Sequence, residues 1–121
     1  VTEIGDAITL DAEDSGKTFI VKQKDPAGTY TIQFPMTKGW NATFLTTGSV
    51  GAAVSISGST STVSSVTSSF VITSGDAAAA GIVEGNGQSI QFAGANTADG
   101  DKISVTVLSA GLFHAHGAAS N

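Results

Sequence analysis

Residues 8–35, ITLDAEDSGKTFIVKQKDPAGTYTIQFP, decide the fold class. Residues 29–34 put Tyr30, Ile32 and Phe34 on one side and Thr29, Thr31 and Gln33 on the other. That period of two is the pattern of a half-buried strand. Residues 18–24 place Phe19 and Val21 on one face and Ile20 on the other, and residues 7–10 read as a short first strand. Between the first two, Asp11 can cap one helical turn and Gly16 supplies a left-handed exit. Asp25-Pro-Ala-Gly28 turns the chain before the third strand. Pro35 ends that strand because it has no N–H for a ladder. The stretch contains no nucleophile elbow, phosphate cradle or metal cage, so its first reading is a scaffold.

The remainder extends this pattern. Residues 41–46 and 53–57 are predicted to pair around Gly48 and Gly51. A Ser/Thr/Ala-rich run over 58–81 reads as an irregular excursion with one strand near 70–73 and one helical turn over 76–80, capped by Asp76. Residues 89–93 turn Ile90 and Phe92 to one face. After a turn over 96–101, residues 102–108 alternate Ile103, Val105 and Val107 inward, and Gly111 leads into a last strand over 112–116. The expected architecture is all-β: one compact β-sandwich or barrel-like domain spanning 1–121, with eight to ten short strands and at most one or two helical turns. No sequence repeat of 20 to 50 residues is visible, which weighs against a long β-helix.

Composition narrows the function classes. The 121 residues are 40% hydrophobic and only 12% charged, against about 25% charged in typical globular domains. Ser and Thr replace the missing charges, so the surface has few long side chains to immobilise when a neighbour covers it. The net charge is −5, and the five cations (Lys17, Lys22, Lys24, Lys38 and Lys102) form no stripe that could follow a phosphate backbone. Nucleic-acid binding is therefore not expected. The absence of cysteine removes disulfides, zinc knuckles and thiol catalysis. No run of about 18 apolar residues is present, and the first residues lack the basic start and apolar core of a signal peptide. Neither a membrane partner nor secretion by that route is expected.

Several residues carry chemistry that can be weighed in two ways. His114 and His116 flank one alanine, so on a strand both imidazoles share a face and could reach one metal. Two ligands are fewer than a structural site needs, although three copies around a three-fold axis would supply six nitrogens. The alternative is a pair of half-exposed rings bonded to neighbours or water. Asp99 with Asp101, and Asp11 with Glu13 and Asp14, could hold a hard cation, but Asp-Gly also favours a hairpin and acids favour a helix start. A carboxylate-pair glycosidase would need aromatics beside the acids, and only Trp40 and Tyr30 are available besides phenylalanines. No Gly-x-Ser-x-Gly elbow supports a serine nucleophile. Gly85-Asn-Gly87 lacks the third glycine of a dinucleotide loop. The sequon Asn41-Ala-Thr43 reads as a strand start. Trp40, Phe44 and Leu45 form an apolar cluster, either core or an interface anchor.

Taken together, ITLDAEDSGKTFIV (8–21), YTIQFP (30–35), NATFLTTGSVGAAVSISG (41–58), DGDKISVTV (99–107) and LFH (112–114) resemble a small β domain that recurs in tailed-bacteriophage virion proteins. Capsid decoration (cement) proteins, head fibres and tail fibres carry such domains. The resemblance implies a non-enzymatic structural role on the capsid surface, with no cofactor. Its expected partners are the major capsid protein and two further copies of the chain in a homotrimer. Two other expectations stand beside it: a trimeric tail-spike or fibre tip with metal at His114 and His116, and a carbohydrate-binding β-sandwich with Trp40 and Tyr30 as stacking platforms.

Overall fold

Buried and exposed residues alternate along strand after strand, and the buried sides of two sheets close on each other. The computed structural model describes residues 2–59, 67–73, 82–84, 89–94 and 97–118, with the backbone alone described for 67–73 and 83–84. Eleven strands lie within these residues: β1 (Thr2–Ile4), β2 (Ile8–Thr9), β3 (Thr18–Val21), β4 (Tyr30–Phe34), β5 (Asn41–Thr47), β6 (Val54–Gly58), β7 (Thr67–Thr73), β8 (Ile82–Glu84), β9 (Ser89–Phe92), β10 (Asp99–Ser109) and β11 (Leu112–Ala118). The other regular element among them is one 3-10 turn, Ala12–Asp14. The fold is all-β and sandwich-like: a six-stranded sheet in the order β1-β3-β5-β10-β11-β7 covers a five-stranded sheet in the order β2-β4-β6-β9-β8.

The first six strands alternate between the sheets, so no two consecutive ones pair. Odd-numbered strands β1, β3 and β5 lie parallel in one sheet, and even-numbered β2, β4 and β6 lie parallel in the other. Parallel neighbours need a crossover, and here each crossover contains a strand of the opposite sheet. In the five-stranded sheet Ile8 sits beside Ile32 and Ile32 beside Ile56, a constant step of 24 residues from 8 to 32 and from 32 to 56. The chain therefore winds for nearly three turns before it changes topology. Later strands fill the sheets by antiparallel pairing of β9 with β6 and β8, and of β10 with β5 and β11, while β7 runs parallel to β11 at the far edge.

This arrangement corrects the predicted pairing of 41–46 with 53–57. β5 bonds to β3 and β10, and β6 to β4 and β9. Gly48 and Gly51 lie in a crossing between sheets, where Gly51 has φ +74, rather than in a hairpin turn. The strand expected over 7–10 contains β2, and the strands not foreseen are β1 and β8, each three residues long and too short to show a period. The predicted strand near 70–73 lies within β7. The predicted helical turn over 76–80, the Gly85-Asn-Gly87 loop and the rest of the excursion fall outside the described residues. In the predicted turn over 96–101, Asp99, Gly100 and Asp101 already belong to β10, whose register against β5 shifts between Asp99 and Lys102.

The core is one layer between the sheets. Ile32, Ile56 and Ile90 are adjacent across β4, β6 and β9 and are fully buried. From the other sheet, Phe19 stacks on Phe44 with ring centroids 5.5 Å apart, and Ile103, Val105, Val107 and Phe113 point inward. Each such side chain contributes about 1.5–3 kcal/mol by leaving water. At Gly117 on β11 the two sheets approach too closely for any side chain: an added Cβ would lie 2.9 Å from Ile82 Cγ2 and 3.3 Å from Ile90 Cδ1. Gly117→Ala is therefore expected to cost about 1–3 kcal/mol by overpacking. Gly28→Ala, whose nearest neighbour would be 4.0 Å away, should be close to neutral. Urea unfolding midpoints of the two variants measure the difference, and equal midpoints would refute the close approach.

Candidate functional site

The acidic stretch at the N-terminal end is occupied by its own backbone. Asp11 Oδ1 accepts from the Glu13 N–H at 3.0 Å, and Asp14 Oδ2 accepts from the Asp11 N–H at 3.0 Å, a reciprocal capping box. Lys17 Nζ donates to the other Asp14 oxygen at 2.9 Å. The Asp11 N–H, and then Lys17, hold the Asp14 carboxyl below its usual range. The turn is fastened to the body of the domain, because Trp40 Nε1 donates to the Asp11 carbonyl at 3.0 Å and the Gly16 N–H donates to the Asn41 carbonyl at 2.7 Å. A helix cap, not a cation cage, explains this cluster.

The Asp99–Asp101 pair divides. Asp99 is exposed, whereas Asp101 is fully buried and its Oδ2 accepts from the Ala98 N–H at 3.0 Å. Around it lies a buried hydroxyl knot that sequence reasoning did not identify. Thr46 Oγ1 donates to the Ala98 carbonyl at 2.7 Å, and Thr97 Oγ1 donates to the Gly94 carbonyl at 2.8 Å while accepting from the Val50 N–H at 2.8 Å. These bonds fix the loop that leads into β10. Among the described residues no group of three or more His, Cys, Asp or Glu side chains is placed to hold a metal ion.

Trp40 and Phe44 belong to the core, which corrects their candidacy as interface anchors. Trp40 is 3% exposed and stacks on Phe34 at 5.5 Å, Phe44 is completely buried, and only Leu45, half-buried on the outer face of β5, reaches the surface. Burial also removes the stacking platforms expected for a carbohydrate. Tyr30 is 6% exposed, and its hydroxyl donates to the carbonyls of Lys22 and, at 3.3 Å, Ile4. Neither aromatic ring has a face to offer a sugar.

Among the described residues, the two outer sheet faces are the broad surfaces open to a partner. Across the five-stranded sheet run two rows, Thr9–Gln33–Ser57 and Thr31–Ser55–Gln91, the second bonded within itself by Gln91 Nε2 donating to Ser55 Oγ at 3.1 Å. Every one of these outward side chains is a hydroxyl or an amide. The six-stranded sheet presents Thr43, Leu45, Ser104 and Thr106 together with Lys102, His114 and His116. Register places His116 opposite Ser104 and His114 opposite Thr106 on the same face. The polar positions of strands that alternate in sequence carry the signal for both faces, but which rows lie side by side depends on register. Two open hollows flank the sheets, one lined by Val21, Lys22, Gln23, Thr47, Gly48 and Ser49, the other by Ala7, Ile8, Thr9, Thr31 and Gln33. Neither is lined by a histidine or a carboxylate.

Comparison with known proteins returns no match: no family model, no curated protein and no solved structure is similar enough to the chain to count as a relative.

The tyrosine gives a direct test of the packing that closes these faces. Burial, aided by the negative charge of Asp6, pushes the Tyr30 phenol from 10.0 up to about 12. Folding thus favours the neutral phenol, and its contribution to stability is complete below pH 10 and is lost as pH rises towards 12. The loss amounts to something on the order of 2 kcal/mol. Tyr30→Phe should cost about 1 kcal/mol at neutral pH through the lost hydrogen bonds, yet lose less stability between pH 8 and pH 11.5 than the parent. Chemical denaturation across that range would contradict the assignment if both proteins declined in parallel.

Proposed function

We propose that the chain is a non-enzymatic structural protein of a tailed-phage virion, a decoration protein that binds the outside of the head as a trimer and braces the capsid lattice. The observation that supports this reading is the division of the molecule. Every aromatic ring with a described side chain is spent on the core, and the rows described on the outer face of the five-stranded sheet carry short hydroxyl and amide groups. Such faces are suited to broad, static contact. They lose little side-chain entropy when covered, and they can exchange water for direct or water-bridged hydrogen bonds across a subunit boundary. The capping box and the buried hydroxyl knot hold the turns at the sheet ends, so a partner meets a preformed surface. The resemblance of residues 8–58 and 99–114 to virion β domains supplies the setting.

Two measurements test the reading together. Light scattering on the purified protein should give three times the chain mass of 12.0 kDa, and antibody labelling should find it on the heads of purified particles. Heads made without it should break at lower temperature or on milder osmotic shock than complete heads. Particles that lack the protein and keep full resistance would overturn the bracing role.

A further inference from the structure

We infer that the outer face of the six-stranded sheet carries a two-histidine chelate for a divalent transition-metal ion, formed by His114 and His116. The two residues are at alternate positions of β11, which lies inside the sheet between β10 and β7 rather than at an edge. Alternate residues on a strand project to one side with roughly 7 Å between them. Imidazole nitrogens from both can then converge on one ion at about 2.0–2.1 Å. The central position matters, because strands on both sides hold β11 in a fixed pleat along its whole length. The directly opposed residues on β10 are Thr106 and Ser104, short side chains that leave the rings room to turn. His114 is half-buried and His116 is exposed, so the pair is accessible without unfolding.

The donor set selects the ligand. Two neutral imidazoles with no carboxylate suit nickel, copper and zinc, and give magnesium and calcium nothing they prefer. No third His, Cys, Asp or Glu joins the pair among the described residues, so a bound ion keeps open positions for water or for a group from another molecule. The described charged side chain nearest by register on this face is Lys102, opposite Ala118, which lowers affinity without blocking the approach. The inference stands on the geometry of this face and is independent of the virion reading.

Titrating the untagged full chain with zinc or nickel chloride at pH 7.5 in a calorimeter should show one ion per chain. His114→Asn and His116→Asn should each weaken binding at least about tenfold, since either leaves a single donor, and the double substitution should abolish it. In the unmodified protein, the ring signals of both histidines in a proton–nitrogen NMR spectrum should move together and saturate at one equivalent of zinc. Binding that survives the double substitution, or a titration that moves only one ring or neither, would overturn the chelate.

Discussion

Phe34 is the contact on which the sandwich depends. It projects from the five-stranded sheet, stacks nearly parallel on Trp40 at 5.5 Å, and meets Phe113 of the six-stranded sheet edge-on at 4.9 Å. One ring thus touches the opposite sheet and the segment that leads into β5. Trp40 passes the constraint outward, since its Nε1 donates to the carbonyl of Asp11 and so positions the capped turn. Aromatic pairs in these geometries add about 0.5–1.5 kcal/mol beyond the area they bury. Their larger effect is on specificity: the offset between the sheets is set by rings that fit in one way.

That concentration of aromatics in the core shapes the surface. A 121-residue chain with eight aromatic side chains that buries all those described has few left for a binding platform. The charged groups are also partly committed, with Lys17 on Asp14 and Lys22 on Glu3 at 3.2 Å. The rows on the outer face of the five-stranded sheet are left to threonine, serine and glutamine. Contacts made by such rows have little long-range electrostatic steering and lose little to salt screening.

How much of this the sequence disclosed follows from the range of each interaction. The inward sets Tyr30/Ile32/Phe34, Phe19/Val21 and Ile103/Val105/Val107 are legible because alternation is a local property of each strand. The Asp11 cap and the left-handed Gly16, at φ +84, are legible for the same reason. Pairing is not local. The 24-residue step that aligns Ile8, Ile32 and Ile56 leaves almost no repeat in the sequence, because only the inward positions are constrained and those accept different apolar residues: Tyr30 sits beside Val54, and Phe34 beside Gly58. The proximity of the 41–46 and 53–57 segments in sequence suggested a hairpin, but the intervening glycines serve a crossing. The Trp40/Phe44 cluster illustrates the same limit, since an apolar run does not reveal whether its partner is its own chain or another.

The winding also decides which parts of the molecule can change without loss. In the wound half, each strand is held by neighbours separated from it by a full crossing, so every strand depends on contacts distant in sequence, and loop closure must precede them. In the second half, β10 and β11 are joined by a tight turn at Gly111, φ +88, and form the longest antiparallel pair. That hairpin is the most local large unit of the structure and supplies both the inward residues Val105, Val107 and Phe113 and the outward histidines. A face built on the hairpin therefore rests on the part of the sheet with the shortest loop to close, and its outward positions can vary while its inward ones are held by the aromatic layer. This separation of inward constraint from outward freedom allows one scaffold to carry a metal chelate on one face and an uncharged hydroxyl face on the other.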